Sequence, residues 1–325
     1  MKSLFYKIVV SFFLAVVILL GLEWIVGFGL SNNRNFKISY ISKQKIAAEV
    51  LAHGPCESEW AIDPDIISQC VDKNTYNLSL NHSDFADNYI FLKQYLKYQP
   101  KPKVVLLYVT PESFDSVIAN TFNTYRFVHL LHDNTVRDIV HEMDDKFAKI
   151  SRLPFLRYSY YSNFIFYKSF SGWIDFVTGN KTPQWPNGQI KPIMPWNMAF
   201  NHFRDLNPKE GHFLWSKSRE KYFLNIIHLL QTQQIPVILY ESPVYYEALP
   251  YQKNRDLHMK KIDSICQIYD IPFLKFDSLD MRFDKTNYFT TYNFTTKGND
   301  IFNPILGKVL KDTLPMILNK QVNRQ

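Results

Sequence analysis

Cys56 is the residue of this chain whose type and setting best fit covalent chemistry. It follows Gly54 and Pro55 at a turn between a short apolar run and a predicted helix. A thiol at the start of a helix has a lowered pKa, and its thiolate is a strong nucleophile. Such a nucleophile needs a general base, and His53 and His82 both lie on predicted strand-end loops. These residues offer a candidate cysteine nucleophile with two candidate bases.

Three carboxylates accompany these residues and would orient the base: Glu57, Glu112 and Glu241. Each candidate also has an ordinary structural interpretation. A single loop histidine is often hydrogen-bonded without a catalytic role, and a glutamate at a strand end is either a cap or part of a site. The sequence leaves open whether the Cys56 site is catalytic.

Composition excludes several other classes of site. The three cysteines show no CxxC pair and no metal-ligand spacing with histidine, so we expect no metal. Glycine is scarce, at 10 of 325 residues, and no dinucleotide or P-loop motif is present, so we expect no cofactor. The net charge is +7, but the basic residues are scattered, which argues against nucleic acid as a partner.

Alternating strand and helix patterns position these residues. Apolar or alternating runs predict strands at 49–53, 75–80, 104–109, 236–240 and 271–276. Amphipathic segments predict helices at 40–47, 84–98, 217–234, 252–269 and 299–318. Pro304 and Pro315 are expected to shorten the last helix. This alternation predicts a three-layer, doubly wound α/β domain with a mostly parallel sheet.

Ligands of such sheets bind outside the carboxyl ends of the strands. The loops after the predicted strands carry residues that we assign to binding: Gly54, Ser79, Asn81, Thr110 and Glu241. The segment 287–298 precedes the last helix and contributes Asn293. We expect Cys56, Ser79, Thr110, Glu241 and Asn293 to converge on one edge of the sheet.

The order of these segments resembles the SGNH/GDSL hydrolase superfamily, in its membrane-anchored branch associated with bacterial surface-polysaccharide and cell-wall acylation. The matching blocks are 54–56 with 61–64, then 77–80, 110–114 and 289–298. The resemblance covers about residues 48–114 and 217–318. It implies an SGNH-like sheet in flavodoxin-like order, interrupted by a helical insertion.

The chain departs from that pattern at the catalytic positions. Cys56 stands where the resemblance implies serine, while Thr290 and Asn293 stand where it implies aspartate and histidine. Neither threonine nor asparagine titrates near neutral pH, so the usual triad cannot operate. Asn293 then either belongs to a remodelled site or bonds the backbone in the turn before the last helix.

The N-terminus predicts a membrane anchor. Residues 8–30 are 23 nearly uncharged residues, about 34 Å of helix against a hydrocarbon core near 30 Å. Glu23 lies in the last third of this run and either contacts a partner helix or reaches the headgroups. The flanking basic residues do not decide orientation. The short N-terminal tail and the resemblance favour a body outside the cytoplasmic (inner) membrane.

We therefore predict an anchor at 1–30, a linker at 31–47 and an α/β domain at 48–325 with an insertion at 112–216. The insertion is rich in aromatic residues, especially between 155 and 170. This composition indicates either a helical subdomain with its own core over the sheet, or a lid or glycan-contacting surface.

Two functions follow from the residues and the resemblance. The first is a single-pass, SGNH-like protein of surface-polysaccharide or cell-wall assembly, which either binds a glycan or transfers or hydrolyses an acyl ester delivered by an acyl carrier. The second is a non-catalytic module that binds a membrane partner protein through Glu23 and the insertion.

Overall fold

A computed structural model describes most of the chain. The described residues are 2–116, 122–153, 155–161, 163–183, 185, 187–189, 195–197, 200–201, 204, 214–252 and 254–322. The chain forms two compact units. We call residues 1–44 with 123–184 the anchor unit, and residues 45–122 with 185–325 the sheet unit.

The strands are β1 (Val50–His53), β2 (Thr75–Asn77), β3 (Val104–Tyr108), β4 (Val237–Glu241) and β5 (Phe273–Lys275). The helices are α1 (Lys2–Asn32), α2 (Lys37–Lys43), α3 (Cys56–Ala61), α4 (Pro64–Val71), α5 (Phe85–Tyr98), α6 (Asn134–Met143), α7 (Asp145–Ile150), α8 (Leu156–Ser159), α9 (Phe164–Thr178), α10 (Lys217–Thr232), α11 (Arg255–Tyr269) and α12 (Thr296–Val322). Short 3₁₀ turns cover Pro111–Phe114, Thr124–Arg126, Val128–Leu130, Tyr246–Tyr251, Asp280–Phe283 and Lys285–Asn287.

The sheet unit is built on one five-stranded, all-parallel sheet in the order β2-β1-β3-β4-β5. The predicted α/β class and parallel sheet are confirmed. Strands β1, β3 and β4 are buried at every residue. Continuous apolar runs predict this for central strands that are covered on both faces. The strand order reverses between β1 and β3, which marks the expected ligand edge.

Helices cover both faces of the sheet because strand side chains alternate in direction. Val50, Ala52, Leu106 and Ile238 share one face, where they pack in a single core with residues of α4 and α12. The intervening residues point to the other face. There His53 Nε2 lies 2.8 Å from the carbonyl oxygen of Asn88 in α5, and α5 packs against α10.

Two elements differ from their predicted lengths for identifiable reasons. β2 ends at Asn77, three residues early, because the Asn77 side chain accepts a hydrogen bond from the Ser79 amide at 3.0 Å and turns the chain. α12 continues through Pro304 and Pro315, so the prediction that they shorten it is wrong. Phe302, Leu306, Leu310 and Leu314 are buried in the sheet core and outweigh the lost backbone bonds.

The anchor unit is held by a close crossing of α1 and α9. A Cβ atom on Gly29 would lie 2.3 Å from the carbonyl oxygen of Ser169, and one on Gly172 would lie 1.8 Å from the carbonyl oxygen of Gly29. Glycine at both positions lets the two backbones touch. Ser169 Oγ donates to the Val26 carbonyl at 3.0 Å, and Trp173 Nε1 donates to the Ile25 carbonyl at 2.9 Å.

Glu23 has a partner within its own unit. Its carboxylate forms an ion pair with Arg157 and accepts the Phe155 amide at 2.6 Å. The structure adds an internal ion pair to the two sequence-based interpretations of Glu23, a contact to a partner helix and a headgroup contact, which both stay predictions. The arginine lies in the insertion, so no local sequence signal marks it as the partner.

The predicted linker and insertion also contribute to the anchor unit. Residues 31–47 include α2, whose Ile38 and Ile41 are buried. Residues 123–184 of the insertion fold with residues 1–44. α9, which contains the end of the aromatic-rich segment, thus packs on α1, where Trp173 and Phe176 lie beside the Phe28 ring at centroid distances of 4.6 and 4.9 Å. Parts of the predicted insertion, including 117–121 and 205–213, lie outside the described residues.

Candidate functional site at the carboxyl edge of the sheet

Gly54 shapes the turn that leads from β1 into α3. A Cβ atom there would lie 2.7 Å from the Cβ of Tyr108 and 2.9 Å from the Cβ of Ser58. Only glycine fits this gap, so the turn brings α3 directly against the end of β3. Pro55 occupies the N-cap, and Cys56 is the first residue of α3. Gly54 therefore has a packing role at the predicted site.

Ser58 joins three strand ends at this edge. Its buried Oγ accepts hydrogen bonds from Ser79 Oγ at 2.6 Å and from the Tyr240 hydroxyl at 2.7 Å. Asn77 Nδ2 donates to the carbonyl oxygens of Ser58 and Glu59, at 3.1 and 3.3 Å. The ends of β2 and β4 are thereby tied to α3, which follows β1. Sequence inspection did not single out Ser58 or Tyr240.

Cys56 is half-buried and donates through Sγ to Glu57 Oε2 at 3.2 Å. Burial, followed by the negative charge of Glu57, raises the pKa of the Cys56 thiol well above its usual value. A hydrogen bond from the His82 backbone opposes this rise without cancelling it. The expectation that the helix start lowers this pKa is therefore wrong, because a six-residue helix cannot offset burial beside a carboxylate.

The two candidate bases lie in different settings. His53 is fully buried, and its ring faces the backbone of α5 through the Asn88 carbonyl. His82 is exposed, in the turn that also holds the partly exposed Asn81. The His82 backbone has a positive φ of 47°, and its amide approaches Cys56. His53 thus serves the sheet–helix interface, while His82 lies at the rim of the edge.

Thr290 and Asn293 form a closed turn. The backbone N–H of Asn293 donates to Thr290 Oγ1 at 3.1 Å, and the backbone N–H of Phe289 donates to the backbone carbonyl of Asn293 at 3.0 Å. The Phe289 ring meets Trp60 of α3 edge-on, with centroids 5.0 Å apart. This turn therefore lies beside α3, as predicted, and Thr290 acts as its hydrogen-bonding support.

Thr110 caps the 3₁₀ turn that follows β3. Its amide donates to Ser113 Oγ at 3.1 Å, and its hydroxyl lies 3.2 Å from the same oxygen. The turn carries Glu112 to the edge of the sheet. Thr110, assigned to binding from the sequence, therefore shapes the loop that presents Glu112.

A polar network extends from Glu112 across the edge. Gln252 Nε2 donates to Glu112 Oε1 at 2.9 Å and to the Tyr292 hydroxyl at 3.2 Å. The Tyr292 hydroxyl also donates to Glu112 Oε1. Arg255 donates to Gln252 Oε1 at 2.9 Å and forms an ion pair with the fully buried Glu241. Four separate segments of the chain meet in this network.

The carboxyl groups at this edge have raised pKa values. Burial, reinforced by the charge of Glu57, raises the pKa of Glu112 from 4.5 to about 8, although Tyr292 and Arg255 oppose the rise. Burial likewise raises the pKa of Glu57. Burial also raises the pKa of Glu241, against the opposing charge of Arg255. Glu112 is therefore mostly protonated at neutral pH, and its carboxyl accepts from Gln252 and Tyr292 while it carries a proton that it can donate to a ligand.

Gln252, Arg255 and Tyr292 were not assigned to the site from the sequence. Gln252 and Arg255 are spaced three residues apart at the predicted start of the helix that follows β4, and a polar pair directed to one face there is the signal that marks them. Tyr292 lies within the 287–298 block, but nothing in its type distinguishes it from the other 19 tyrosines.

The described residues hold no group of three or more His, Cys, Asp or Glu that could bind a metal ion. A cavity of about 880 Å³ lies at the opposite edge of the sheet, where β4 and β5 begin. Ile235, Val237, Cys266 and Phe273 contribute to its lining, and no predicted site residue does.

The candidate site is the carboxyl edge of the sheet, to which the predicted loops 53–58, 79–82, 110–112 and 241–242 and the segment 287–298 contribute carboxyl, amide and hydroxyl groups. The chain matches no protein-family model and no curated protein.

Proposed function

We propose that this is a membrane-anchored, SGNH-like protein of surface-polysaccharide or cell-wall assembly whose sheet edge binds a glycan. The network of Glu112, Gln252, Tyr292 and Arg255 at the carboxyl ends of the strands carries this proposal. Sugar hydroxyls both donate and accept hydrogen bonds. A protonated carboxyl, an amide and a phenol offer the complementary groups within one small area.

Binding fits this edge better than acyl transfer through Cys56. A thiol with a raised pKa is a poor nucleophile at neutral pH. The residues at the aspartate and histidine positions of the resemblance are Thr290 and Asn293, which do not titrate near neutral pH, and the Thr290 hydroxyl accepts the backbone N–H of Asn293. His53 is engaged with α5. A glycan-binding protein needs none of these groups to move a proton.

The anchor in this proposal is α1. Residues 3–32 form a helix that is long and apolar enough to cross a membrane, and its most apolar window is not covered by the rest of the protein. A single crossing with the body outside the cytoplasm would place the sheet edge among surface glycans. Protease added to spheroplasts should then digest residues 31–325, and complete protection would refute this orientation.

Glycan binding is tested with the full chain in nanodiscs. Fragments of bacterial surface and cell-wall polysaccharides, with and without O-acetyl groups, are titrated against the wild type and the Glu112→Ala variant. Loss of a buried polar contact should weaken binding at least about tenfold. Glu142→Ala, at an exposed glutamate of the anchor unit, is the matched control and should bind as the wild type does.

Two results would contradict the proposal. One is that no fragment binds, or that Glu112→Ala binds as tightly as the wild type. The other is a robust esterase turnover on acylated fragments that is lost in Cys56→Ala, because that result makes Cys56 a catalytic residue.

A further inference from the structure

α9 is apolar on two opposite faces. Ile165, Ser169 and Gly172 are buried and form the face directed at α1. Tyr167, Phe170, Ile174 and Val177 follow at intervals of three, four and three residues and are all exposed. At 100° per residue these four side chains lie within about 80° of one another, opposite the buried face. The helix therefore has a second apolar face without a protein cover among the described residues.

The few charged groups of α9 do not lie on this second face. Asp175 is buried and forms an ion pair with Arg34 at 3.4 Å. The Lys168 ammonium lies 5.3 Å from the centre of the Phe164 ring. A surface helix of a water-soluble protein is polar on its uncovered side, whereas a helix that is apolar all round is surrounded by protein or lipid.

α9 crosses α1 at one end of the apolar run. Trp173 Nε1 donates to the Ile25 carbonyl, Asn33 Nδ2 donates to the backbone carbonyl of Lys168 at 2.7 Å, and Asp175 forms an ion pair with Arg34. These contacts of α9, together with the bond from Ser169 to the Val26 carbonyl, thus fall on the last third of α1 and on the two residues that follow it. This places α9 across α1 and leaves residues 3–22 of α1 uncovered by it.

The length of α9 and the tryptophans at its crossing with α1 fit a position at the membrane boundary. Fifteen residues give a helix of about 22 Å, too short to cross a hydrocarbon core of about 30 Å. Trp24 and Trp173 meet at the crossing, with ring centroids 6.1 Å apart. Tryptophan is enriched at the boundary between headgroups and acyl chains. The Glu23–Arg157 ion pair lies in the same third of α1.

We propose that α9 is an in-plane membrane helix whose Tyr167, Phe170, Ile174 and Val177 face enters the leaflet at the C-terminal end of α1. The partner is the lipid bilayer that α1 spans, so the inference rests on the anchoring part of the proposed function. The bilayer accounts for the uncovered face because it continues the apolar surface of α1. The anchor unit is then held in the membrane by one spanning helix, α1, and one interfacial helix, α9.

Three exposed phenylalanines provide a matched test. The photo-crosslinker p-benzoylphenylalanine replaces, one at a time, Phe12 of α1, Phe170 of α9 and Phe283 of the sheet unit. The full chain is reconstituted in vesicles of phosphatidylcholine and phosphatidylglycerol and irradiated, and lipid adducts are measured by mass spectrometry. We expect lipid adducts at Phe12 and Phe170, in several-fold excess over those at Phe283.

The outcomes separate this inference from the anchor. Lipid adducts at Phe12 without adducts at Phe170 overturn the in-plane helix and leave the anchor in place. The absence of adducts at both positions overturns membrane anchoring itself. Crosslinks from Phe170 to a second protein chain, or equal lipid yields at Phe170 and Phe283, also overturn the inference.

Discussion

The anchor unit pairs its acidic groups with arginine, whereas the sheet unit pairs Glu241 with Arg255 but leaves two other acids of its carboxyl edge without an ion pair. In the anchor unit, Glu23 pairs with Arg157 and Asp175 pairs with Arg34. In the sheet unit, Glu57 and Glu112 form no ion pair with any described lysine or arginine, and their pKa values are raised. Paired acids hold the helices of the anchor unit together, whereas the Glu112 carboxyl, protonated at an accessible edge, remains available for hydrogen bonds to a ligand.

The helix crossing that supports the anchor unit is the feature most sensitive to mutation. Gly29→Leu should destabilise this unit by about 3 kcal/mol, because the new side chain collides with Ser169 and Trp173. Gly21→Leu in the same helix is the control, since nothing lies within 4 Å of its Cβ position. Unfolding midpoints in micelles and proteolysis of residues 123–184 measure the effect. Equal stability of the two variants would show that the crossing does not hold the unit.

The stability effects of mutating Glu23 and Arg157, which form an ion pair in the anchor unit, should be strongly non-additive. Arg157→Met leaves the Glu23 carboxylate without its cation and should cost about 2 kcal/mol. The double variant Glu23→Gln with Arg157→Met should regain part of this loss, because an amide needs no counter-charge and still accepts the Phe155 amide. Additive losses in this double-mutant cycle would mean that the pair contributes no specific interaction.

The unpaired acid of the sheet unit should make stability depend on pH. The raised pKa of Glu112 means that its ionisation opposes folding, with no penalty below pH 4.5 and an increasing one up to about pH 8. Glu112→Gln mimics the protonated acid. Relative to the wild type, this variant should therefore be more stable at pH 8 than at pH 5. The stability difference should grow by about 1–2 kcal/mol between the two pH values, after allowance for partial exposure.

Denaturant unfolding at both pH values measures this difference, with Glu142→Gln as the control for an exposed glutamate. A stability difference between Glu112→Gln and the wild type that stays constant from pH 5 to pH 8 would show that Glu112 is ionised throughout.

The smallest expected effect concerns the thiol beside Glu57. Removing this charge in Glu57→Gln should lower the pKa of Cys56 and raise its alkylation rate at pH 8, by up to about tenfold. Site-resolved mass spectrometry follows the reaction, and the rate at Cys70 should be unchanged. Rapid alkylation of Cys56 in the wild type, slowed by Glu57→Gln, would instead indicate an activated nucleophile.

Much of the sheet unit could be predicted because its signals are local. The apolar runs at 104–109 and 236–240 indicated buried parallel strands, and the structure has β3 and β4 there. The rule that strand ends share an edge correctly brought Ser79 next to α3, through Ser58. The length of β2 was less predictable, because it depends on a side-chain bond from Asn77 to a neighbouring turn.

By itself, the sequence determined the apolar helix α1, the alternation that specifies a parallel α/β sheet and the segments that lie at its carboxyl edge. These depend on periodicity and on short-range turn chemistry. Only the tertiary structure decided that Arg157 neutralises Glu23, that α9 crosses α1 at Gly29, and that Gln252 and Tyr292 meet at Glu112. It also decided the protonation of Cys56 and Glu112, because burial and nearby charges come from residues distant in sequence.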